Sequence, residues 1–231
     1  MNVLALDTAT DILSVALSTD EGVLSFEMDA GRRHSERLME LVDALFRVAR
    51  ADPAGIDLVA CMQGPGSFTG LRIGMATAKG IAAARGIPLI SVPTLDCIAA
   101  PHAAWPGWVV PLIDAKKGRW YAATFLRGSR RCEDFDAESE ALAALLPGEE
   151  PVFVAGPDAV SGAAALSRFI SPSRLVADPS PRRGAGKVLL AAAVAAFASG
   201  AAGDAPDAGL VYLRRSEAEL TLEAKRKGMP A

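Results

Sequence analysis

The chain has 231 residues, of which 51% are hydrophobic, 22% charged and 6% aromatic, and its formal net charge is −3. This composition excludes a wholly disordered or collagen-like chain, and the lack of a basic field argues against a protein that holds tRNA or DNA by itself. Three widely spaced cysteines, Cys61, Cys97 and Cys132, form no disulfide framework and no metal knuckle, which is typical of a reducing compartment.

The apolar segments indicate neither a targeting peptide nor a membrane span. Asp7 interrupts the first apolar run, and no basic region precedes it. The longest apolar stretch, residues 188–198, is shorter than the about 20 residues that a membrane-spanning helix needs. We therefore expect a cytoplasmic protein without membrane contact.

Three short apolar segments open the chain and predict an antiparallel meander. Residues 2–7 predict a buried strand, residues 11–18 alternate as a second strand, and residues 23–28 form a third. Residues 8–10 make the tight turn between the first two strands. Strands and helices that alternate after this meander predict an α/β sheet with mixed pairing.

Residues 34–51 form the clearest amphipathic helix. With Met39 and Phe46 included, its apolar side chains cover an arc of roughly 180°, whereas an ordinary surface helix buries a stripe of about 100°. The excess predicts burial on two sides, by a neighbouring helix of the same chain or by a helix of another protein. The apolar residues at helical spacing are Leu38, Leu41, Val42, Leu45, Val48 and Ala49.

A glycine-rich turn at residues 64–67 follows a strand predicted over 56–63 and begins a helix predicted over 68–85. Ser67 can cap this helix by accepting a hydrogen bond from a first-turn amide. Each interior glycine costs about 1 kcal/mol relative to alanine, so the glycines in this helix need a reason. The small side chains suit close packing on the 34–51 helix, on a partner helix, or on both. The residues that fall four apart are Gly70, Gly74, Ala78 and Ala82.

The second half repeats the opening pattern of the first. A strand over 87–92 ends the first half, and the segment 101–107, rich in proline and small residues, is a plausible boundary. We predict an N-terminal lobe over 1–100, a C-terminal lobe over 101–220 and a flexible basic tail over 221–231. The later predicted elements are strands over 108–114, 119–126 and 152–155, and helices over 137–146, 158–169 and 187–199.

The two predicted hairpins are candidate phosphate-binding turns. Asp7, with Thr8 and Thr10, could hold Mg²⁺ and phosphate oxygens. Position 9 is alanine, however, where glycine would let the backbone approach a phosphate, and the alternative is a turn stabilised by its own side chains. The second hairpin, residues 114–118, has one glycine and two lysines, which favours a solvated turn. Ser67 is a further weak candidate, because a helix start attracts anions.

Motifs for catalysis and metal binding fail on inspection. Ser67 lacks the flanking glycines of a nucleophile elbow, and no phosphate-binding loop motif occurs. The two histidines, His34 and His102, form no metal-binding pair, and we expect His34 to lie at the surface or cap a helix. We therefore assign no catalytic residue, no metal ligand and no confident cofactor site to the isolated chain.

Together these segments resemble the TsaB (YeaZ) family, which partners TsaD in making threonylcarbamoyladenosine in tRNA. The likeness is strong over roughly the first hundred residues and looser beyond them. The matching segments are residues 4–10, 14–17, 34–38, 64–74 and 78–80, with weaker matches at 114–116, Tyr121 and 212–214.

The resemblance implies a two-lobed fold like that of actin, the sugar kinases and the Hsp70 ATPases, with mixed sheets flanked by helices and a reduced second lobe. It implies a non-catalytic scaffold that supports transfer of the threonylcarbamoyl group from threonylcarbamoyl-AMP to N6 of adenosine 37 in tRNA. The implied partners are a TsaD-like transferase and a TsaE-like ATPase, with tRNA contacted indirectly and a homodimer formed in their absence. ATP or ADP with Mg²⁺ would bind only in the assembled complex.

The family's contact helices correspond here to residues 34–50 and 68–85. Two alternatives stay open: an ATP-binding kinase or ATPase of the same fold, motivated by Asp7 and the first hairpin, and a peptidase, which the missing motifs disfavour. The resemblance implies that the partner interface comprises His34, Leu38, Leu41, Val42, Leu45, Gly70, Leu71, Gly74, Met75 and Ala78.

Overall fold

The computed structural model describes residues 1–205 and 207–213. The basic tail predicted over 221–231 lies outside the described residues. Among the residues that are described, no helix is both long enough and apolar enough to cross a membrane. The three cysteines carry free thiols.

The N-terminal half contains a five-stranded sheet that carries two long helices. Its strands are β1 (Val3–Asp7), β2 (Ile12–Thr19), β3 (Gly22–Asp29), β4 (Leu58–Gly64) and β5 (Leu89–Pro93), and its helices are α1 (His34–Ala49) and α2 (Phe68–Arg85). The strand order is β3-β2-β1-β4-β5. The first three strands pair antiparallel, and β4 and β5 join in parallel. Parallel pairing needs crossover connections, which α1 and α2 supply.

The described residues that follow β5 build a second sheet and four shorter helices. In chain order these elements are α3 (Thr94–Ala99), β6 (Trp108–Lys116), β7 (Arg119–Ala122), β8 (Phe125–Leu126), β9 (Ser129–Arg130), β10 (Phe135–Glu138), α4 (Ser139–Ala144), β11 (Val152–Ala155), α5 (Ala159–Leu166), β12 (Leu175–Ala177) and α6 (Gly186–Ala198). The main path of this sheet is β10-β7-β6-β11-β12. Its pairing directions repeat those of the first sheet, so the predicted two-lobed α/β fold is confirmed.

Strand β1 shows how the first sheet is covered on both faces. Leu4 and Leu6 join the core cluster beneath α1 and α2. Val3 and Ala5 point to the opposite face and join a cluster formed with α6. Successive strand residues face opposite sides, so this apolar run needs a helix on each side.

Helix α6 falls in the range predicted for the second lobe, yet it packs on β1, β2 and β5 of the first sheet. Leu189 and Ala193 are fully buried there. After α6 the chain still contacts the first sheet: the Val211 amide donates to the carbonyl of Gln63 on β4 at 3.0 Å. The first sheet therefore draws its second covering layer from the C-terminal half of the sequence.

The ends of the helices follow local chemistry. The Ser67 hydroxyl accepts a hydrogen bond from the Gly70 amide at 3.2 Å and caps α2, as predicted. Gly86, with φ of 64°, ends this helix in the left-handed conformation that favours glycine. Helix α2 therefore spans the range that the sequence predicted.

We expect Leu189→Ala to lower the free energy of unfolding by about 2–5 kcal/mol, because it opens a cavity between α6 and the first sheet. Urea denaturation of the full chain measures this loss. Lys187→Ala, on an exposed position of the same helix, should stay within about 0.5 kcal/mol of the parent. Equal losses in both variants would contradict the packing role of α6.

Candidate functional site

A cleft of about 610 Å³ lies among the β1–β2 turn, the start of α2 and the β6–β7 turn. Its size falls in the range of about 300–1,000 Å³ that is common for small-molecule sites. Both hairpins singled out from the sequence line it, and so do the last described residues, 211–213. The cleft is therefore the place to test whether the predicted phosphate-binding turns have a working geometry.

Asp7 anchors backbone amides and does not line the cleft. Its carboxylate is 3% exposed, with one oxygen accepting from the Ala9 amide at 3.1 Å and the other from the Ala185 amide at 2.8 Å. Burial raises the pKa of Asp7, and the hydrogen bonds from Ala185 and Ala9 oppose that rise. Both oxygens thus hold the turn and the segment that leads into α6.

Thr10 and Ser67 do line the cleft, but their hydroxyls serve local turns. The Thr10 hydroxyl accepts from the Ile12 amide at 3.2 Å, and the Ser67 hydroxyl caps α2. The Ser67 amide donates to the Ala9 carbonyl at 2.7 Å. The start of α2 therefore contacts the first hairpin directly, in the place where a phosphate would need open backbone amides.

The second hairpin is held by its own charges. The Asp114 carboxylate accepts from the Lys116 amide at 2.7 Å and from the Lys116 ammonium at 2.9 Å. The hydrogen bond between the Lys116 ammonium and the Asp114 carboxylate raises the pKa of Lys116. The Asp114 amide in turn donates to the Asp158 carboxylate at 2.9 Å. These contacts are compatible with the solvated turn favoured by the sequence, and they also tie that turn to Asp158.

Gly70 and Gly74 face the β1–β2 turn of this same chain. A Cβ on Gly70 would collide with the Thr8 carbonyl oxygen, and a Cβ on Gly74 would collide with the Thr8 hydroxyl. A Cβ on Gly66 would likewise collide with the Ala9 carbonyl oxygen. Gly70 and Gly74 thus receive this chain's own hairpin, whereas Ala78 and Ala82 lie in a core cluster shared with α1, which is one of the two neighbours proposed from the sequence. Thr8, a cofactor candidate in the sequence, is buried beneath α2.

Most residues assigned to the partner interface lie inside the protein. Only Leu41 is partly accessible, and the others pack in the chain's own interior. Their side chains point toward the first sheet, and the two glycines pack against its first hairpin. The buried residues are His34, Leu38, Val42, Leu45, Gly70, Leu71, Gly74, Met75 and Ala78.

His34 occupies a buried position, which differs from the expected surface role. Its Nε2 lies 2.8 Å from the Thr10 carbonyl oxygen. Since a carbonyl can only accept, Nε2 carries the proton in this hydrogen bond. His34 thereby ties the first residue of α1 to the β1–β2 turn, a contact that the sequence pattern gave no means of finding.

Helices α1 and α2 nevertheless keep apolar side chains at the surface. Met39 is 52% exposed and Val48 is 59% exposed. Leu41, Ile73 and Ile81 are half-buried against the core cluster beneath both helices. Met39 and Val48 are nine residues apart, so they lie on opposite sides of α1. We therefore call Leu41, Val48, Ile73 and Ile81 the α1/α2 outer face.

The described residues contain no group of three or more His, Cys, Asp or Glu side chains that could hold a metal ion. His102 has an acidic neighbour, Asp178, at 3.5 Å, but Arg183 lies 2.5 Å from the same carboxylate. A cation would have to displace this guanidinium. Asp7 likewise has both oxygens bonded to amides.

Comparison with known proteins gives consistent results. The family described as TsaD, tRNA N6-adenosine threonylcarbamoyltransferase, matches residues 26–150. The tRNA threonylcarbamoyladenosine biosynthesis protein TsaB of Escherichia coli is 37% identical over 131 residues, which cover 55% of this chain and 56% of that protein. TsaB of Bacillus subtilis is 32% identical over 126 residues, which cover 54% of this chain and 55% of that protein. The chain thus spans about half the length of the curated relatives it matches.

A solved structure extends the likeness over the whole fold. A Pseudomonas aeruginosa protein, described as similar to peptidase YeaZ, superposes with a TM-score of 0.76 at 30% sequence identity. The superposition covers 92% of this chain and 99% of that one. The likeness therefore includes both sheets.

We expect Gly74→Ala to lower the free energy of unfolding by about 1–3 kcal/mol, because its new methyl group collides with the Thr8 hydroxyl. Urea denaturation checks the value. Gly80→Ala is a matched control in the same helix, since nothing lies within 4 Å of its Cβ position, and it should gain about 1 kcal/mol. Adding Thr8→Ala should recover part of the Gly74→Ala loss, and an unchanged loss would contradict the contact.

The raised pKa of Asp7 predicts the sign of a pH effect. A carboxyl whose pKa is raised by folding stabilises the protein most below its ordinary pKa, and this stabilisation is lost as the pH rises through the folded-state pKa. Asp7→Asn removes this titration. The wild type should therefore lose stability relative to the variant as the pH rises from 4 to 7, as measured by urea denaturation. A relative gain over that range would contradict the burial effect.

Proposed function

The chain belongs to the TsaB (YeaZ) family of tRNA threonylcarbamoyladenosine biosynthesis proteins, and on that premise we propose that it acts as a scaffold subunit without catalytic groups of its own. In this proposal it supports transfer of the threonylcarbamoyl group from threonylcarbamoyl-AMP to N6 of adenosine 37 in tRNA. A TsaD-like protein performs the transfer, and a TsaE-like ATPase completes the assembly.

The observation that carries this proposal is the self-contained chemistry of the cleft. Asp7 already bonds two backbone amides, the Thr10 and Ser67 hydroxyls close local turns, and Asp114 holds Lys116. Groups engaged in this way are poorly placed to exchange their partners for phosphate oxygens or a cation. These contacts support the proposal, because the predicted phosphate-binding groups beside the cleft already serve the fold.

The α1/α2 outer face supports the partner half of the proposal. Val48 is 59% exposed on α1, and Leu41, Ile73 and Ile81 are only half-buried. Exposed apolar side chains of this kind are a common feature of protein-binding surfaces. The match to TsaD spans both helices. We propose that a TsaD-like protein docks on this face, and that two copies of the chain pair through the same face in its absence. The net charge of −3 fits indirect rather than direct contact with tRNA.

The cleft itself favours a second candidate, an ATP-binding kinase or ATPase of the same fold. It lies between the two hairpins and carries both acidic and basic side chains. In the proposed scaffold, ATP or ADP with Mg²⁺ binds here only when a partner supplies the missing contacts. In the alternative, the chain binds the nucleotide alone.

Reconstitution tests the scaffold role. The chain is mixed with TsaD-like and TsaE-like proteins, tRNA and threonylcarbamoyl-AMP, and each component is omitted in turn. We expect modified adenosine, detected by mass spectrometry of digested tRNA, to fall sharply when this chain is left out. Undiminished modification without it would contradict the proposal.

Charge substitutions test the docking face. Val48→Glu should weaken binding to the TsaD-like partner at least about tenfold, because it places a carboxylate in an apolar contact worth more than about 1.4 kcal/mol. Calorimetry measures the affinity. Val160→Glu is the matched control, since Val160 is 63% exposed on α5, against 59% for Val48. Equal affinities of the two variants would contradict docking on α1.

Calorimetry also separates the scaffold from the ATPase. We expect no saturable binding of ATP with Mg²⁺ to the isolated chain, and binding once the TsaD-like partner is present. Tight, saturable binding by the chain alone, with turnover to ADP, would favour the ATPase instead.

A further inference from the structure

The chain passes between the two sheets twice, and the two passages meet. The first runs from α3 to β6 through residues 100–107, and the second runs from β12 to α6 through residues 178–185. His102 belongs to the first passage, whereas Asp178 and Arg183 belong to the second. We call these three residues the crossover clasp.

The clasp side chains contact one another directly. The Arg183 guanidinium donates to the Asp178 carboxylate at 2.5 Å, and the same nitrogen lies 3.1 Å from the His102 Nε2. The other Asp178 oxygen accepts from the Ser180 amide at 2.9 Å. Asp178 is only 3% exposed, and a buried carboxylate is costly without its cationic partner. The ion pair is therefore a constraint on both residues.

One side of the clasp is fixed to the second sheet. The Asp178 amide donates to the carbonyl of Val154 on β11 at 2.9 Å. The His102 ring lies against the ring of Phe153, also on β11, with centroids 4.4 Å apart. Asp178 and His102 thus move with the second sheet.

The other side of the clasp is fixed to the first sheet. Directly after Arg183, the Gly184 amide donates to the carboxylate of Glu27 on β3 at 2.8 Å. The next amide, that of Ala185, donates to Asp7 on β1 at 2.8 Å. The backbone next to Arg183 is therefore bonded to the first sheet. The Arg183 guanidinium donates to Asp178, whose own backbone is bonded to the second sheet.

The clasp lies directly behind the cleft. A small cavity of about 50 Å³ is bordered by all three clasp residues and by Asp7. Thr10 and Pro157 border both this cavity and the cleft. A movement of the clasp side chains would thus reach the walls of the cleft through the shared residues Thr10 and Pro157.

From this arrangement we propose that the crossover clasp sets the angle between the two lobes and, through it, the width of the cleft. Its two halves are held to different sheets, so separating the lobes at this point breaks the Arg183–Asp178 pair or detaches residues 184–185 from the first sheet. The inference concerns the lobes of the chain alone and does not depend on the proposed partners.

Distances between spin labels test this proposal in the full chain. Asp20→Cys, in the β2–β3 turn, and Glu149→Cys, in the loop before β11, place labels on exposed positions of the two lobes. Cys132→Ser removes the one native thiol that is not buried. We expect Arg183→Met to shift and broaden the distance distribution measured by pulsed electron resonance. His102→Asn, which keeps the ion pair but removes the ring contact with Phe153, should broaden it less.

Arg119→Met is the matched control. It breaks an Arg119–Asp136 pair of 2.7 Å that is also partly buried, but both partners belong to the second sheet, on β7 and β10. It should lower stability and leave the distance distribution unchanged. A wild-type distribution in Arg183→Met would overturn the proposal. If that variant does not fold, Asp178→Asn replaces it, because it removes the charge of the pair and keeps the shape of the side chain. A wild-type distribution in Asp178→Asn would then overturn the proposal.

Discussion

The close approach of α2 to the β1–β2 turn is the constraint on which the rest of the structure depends. Gly70 and Gly74 leave no room for a side chain against Thr8, so the helix lies directly on the hairpin. The same hairpin receives His34 from α1 and supplies Asp7 to the segment before α6. One turn thus organises helices on both faces of the first sheet.

This packing also explains how the polar groups of the first hairpin, beside the cleft, are engaged. In a nucleotide site, turn amides and a carboxylate would face the ligand, whereas here the carboxylate of Asp7 faces inward and the Ala9 carbonyl bonds to the Ser67 amide. The polar groups of the hairpin stabilise the fold instead. In the proposed scaffold role, the chain presents surfaces to other proteins, and the proposed crossover clasp holds those surfaces at a set angle.

The pattern of small residues shows where inference from sequence reaches its limit. Spacing by four correctly indicated that one flank of α2 meets a close neighbour, because interior glycines need compensation. It could not identify that neighbour, since a hairpin, a second helix and a partner protein all fit a bare flank. Gly70 and Gly74, which the resemblance assigns to a partner interface, face the chain's own hairpin, and the accessible apolar residues on α1 and α2 are others.

By itself the sequence determined the local structure: the meander, the exact span of α2, the serine cap and the two hairpins, because these follow from hydrophobic periodicity, capping and turn chemistry. It also carried the family resemblance. It did not reveal β10 or β12, whose three or four residues are too few for a period to show and which exist through pairing with β7 and β11. Only the tertiary structure decided that α6 covers the first sheet, that Asp7 bonds Ala185, and that His102, Asp178 and Arg183 meet. Such contacts join residues far apart in the chain, and local pattern carries no information about them.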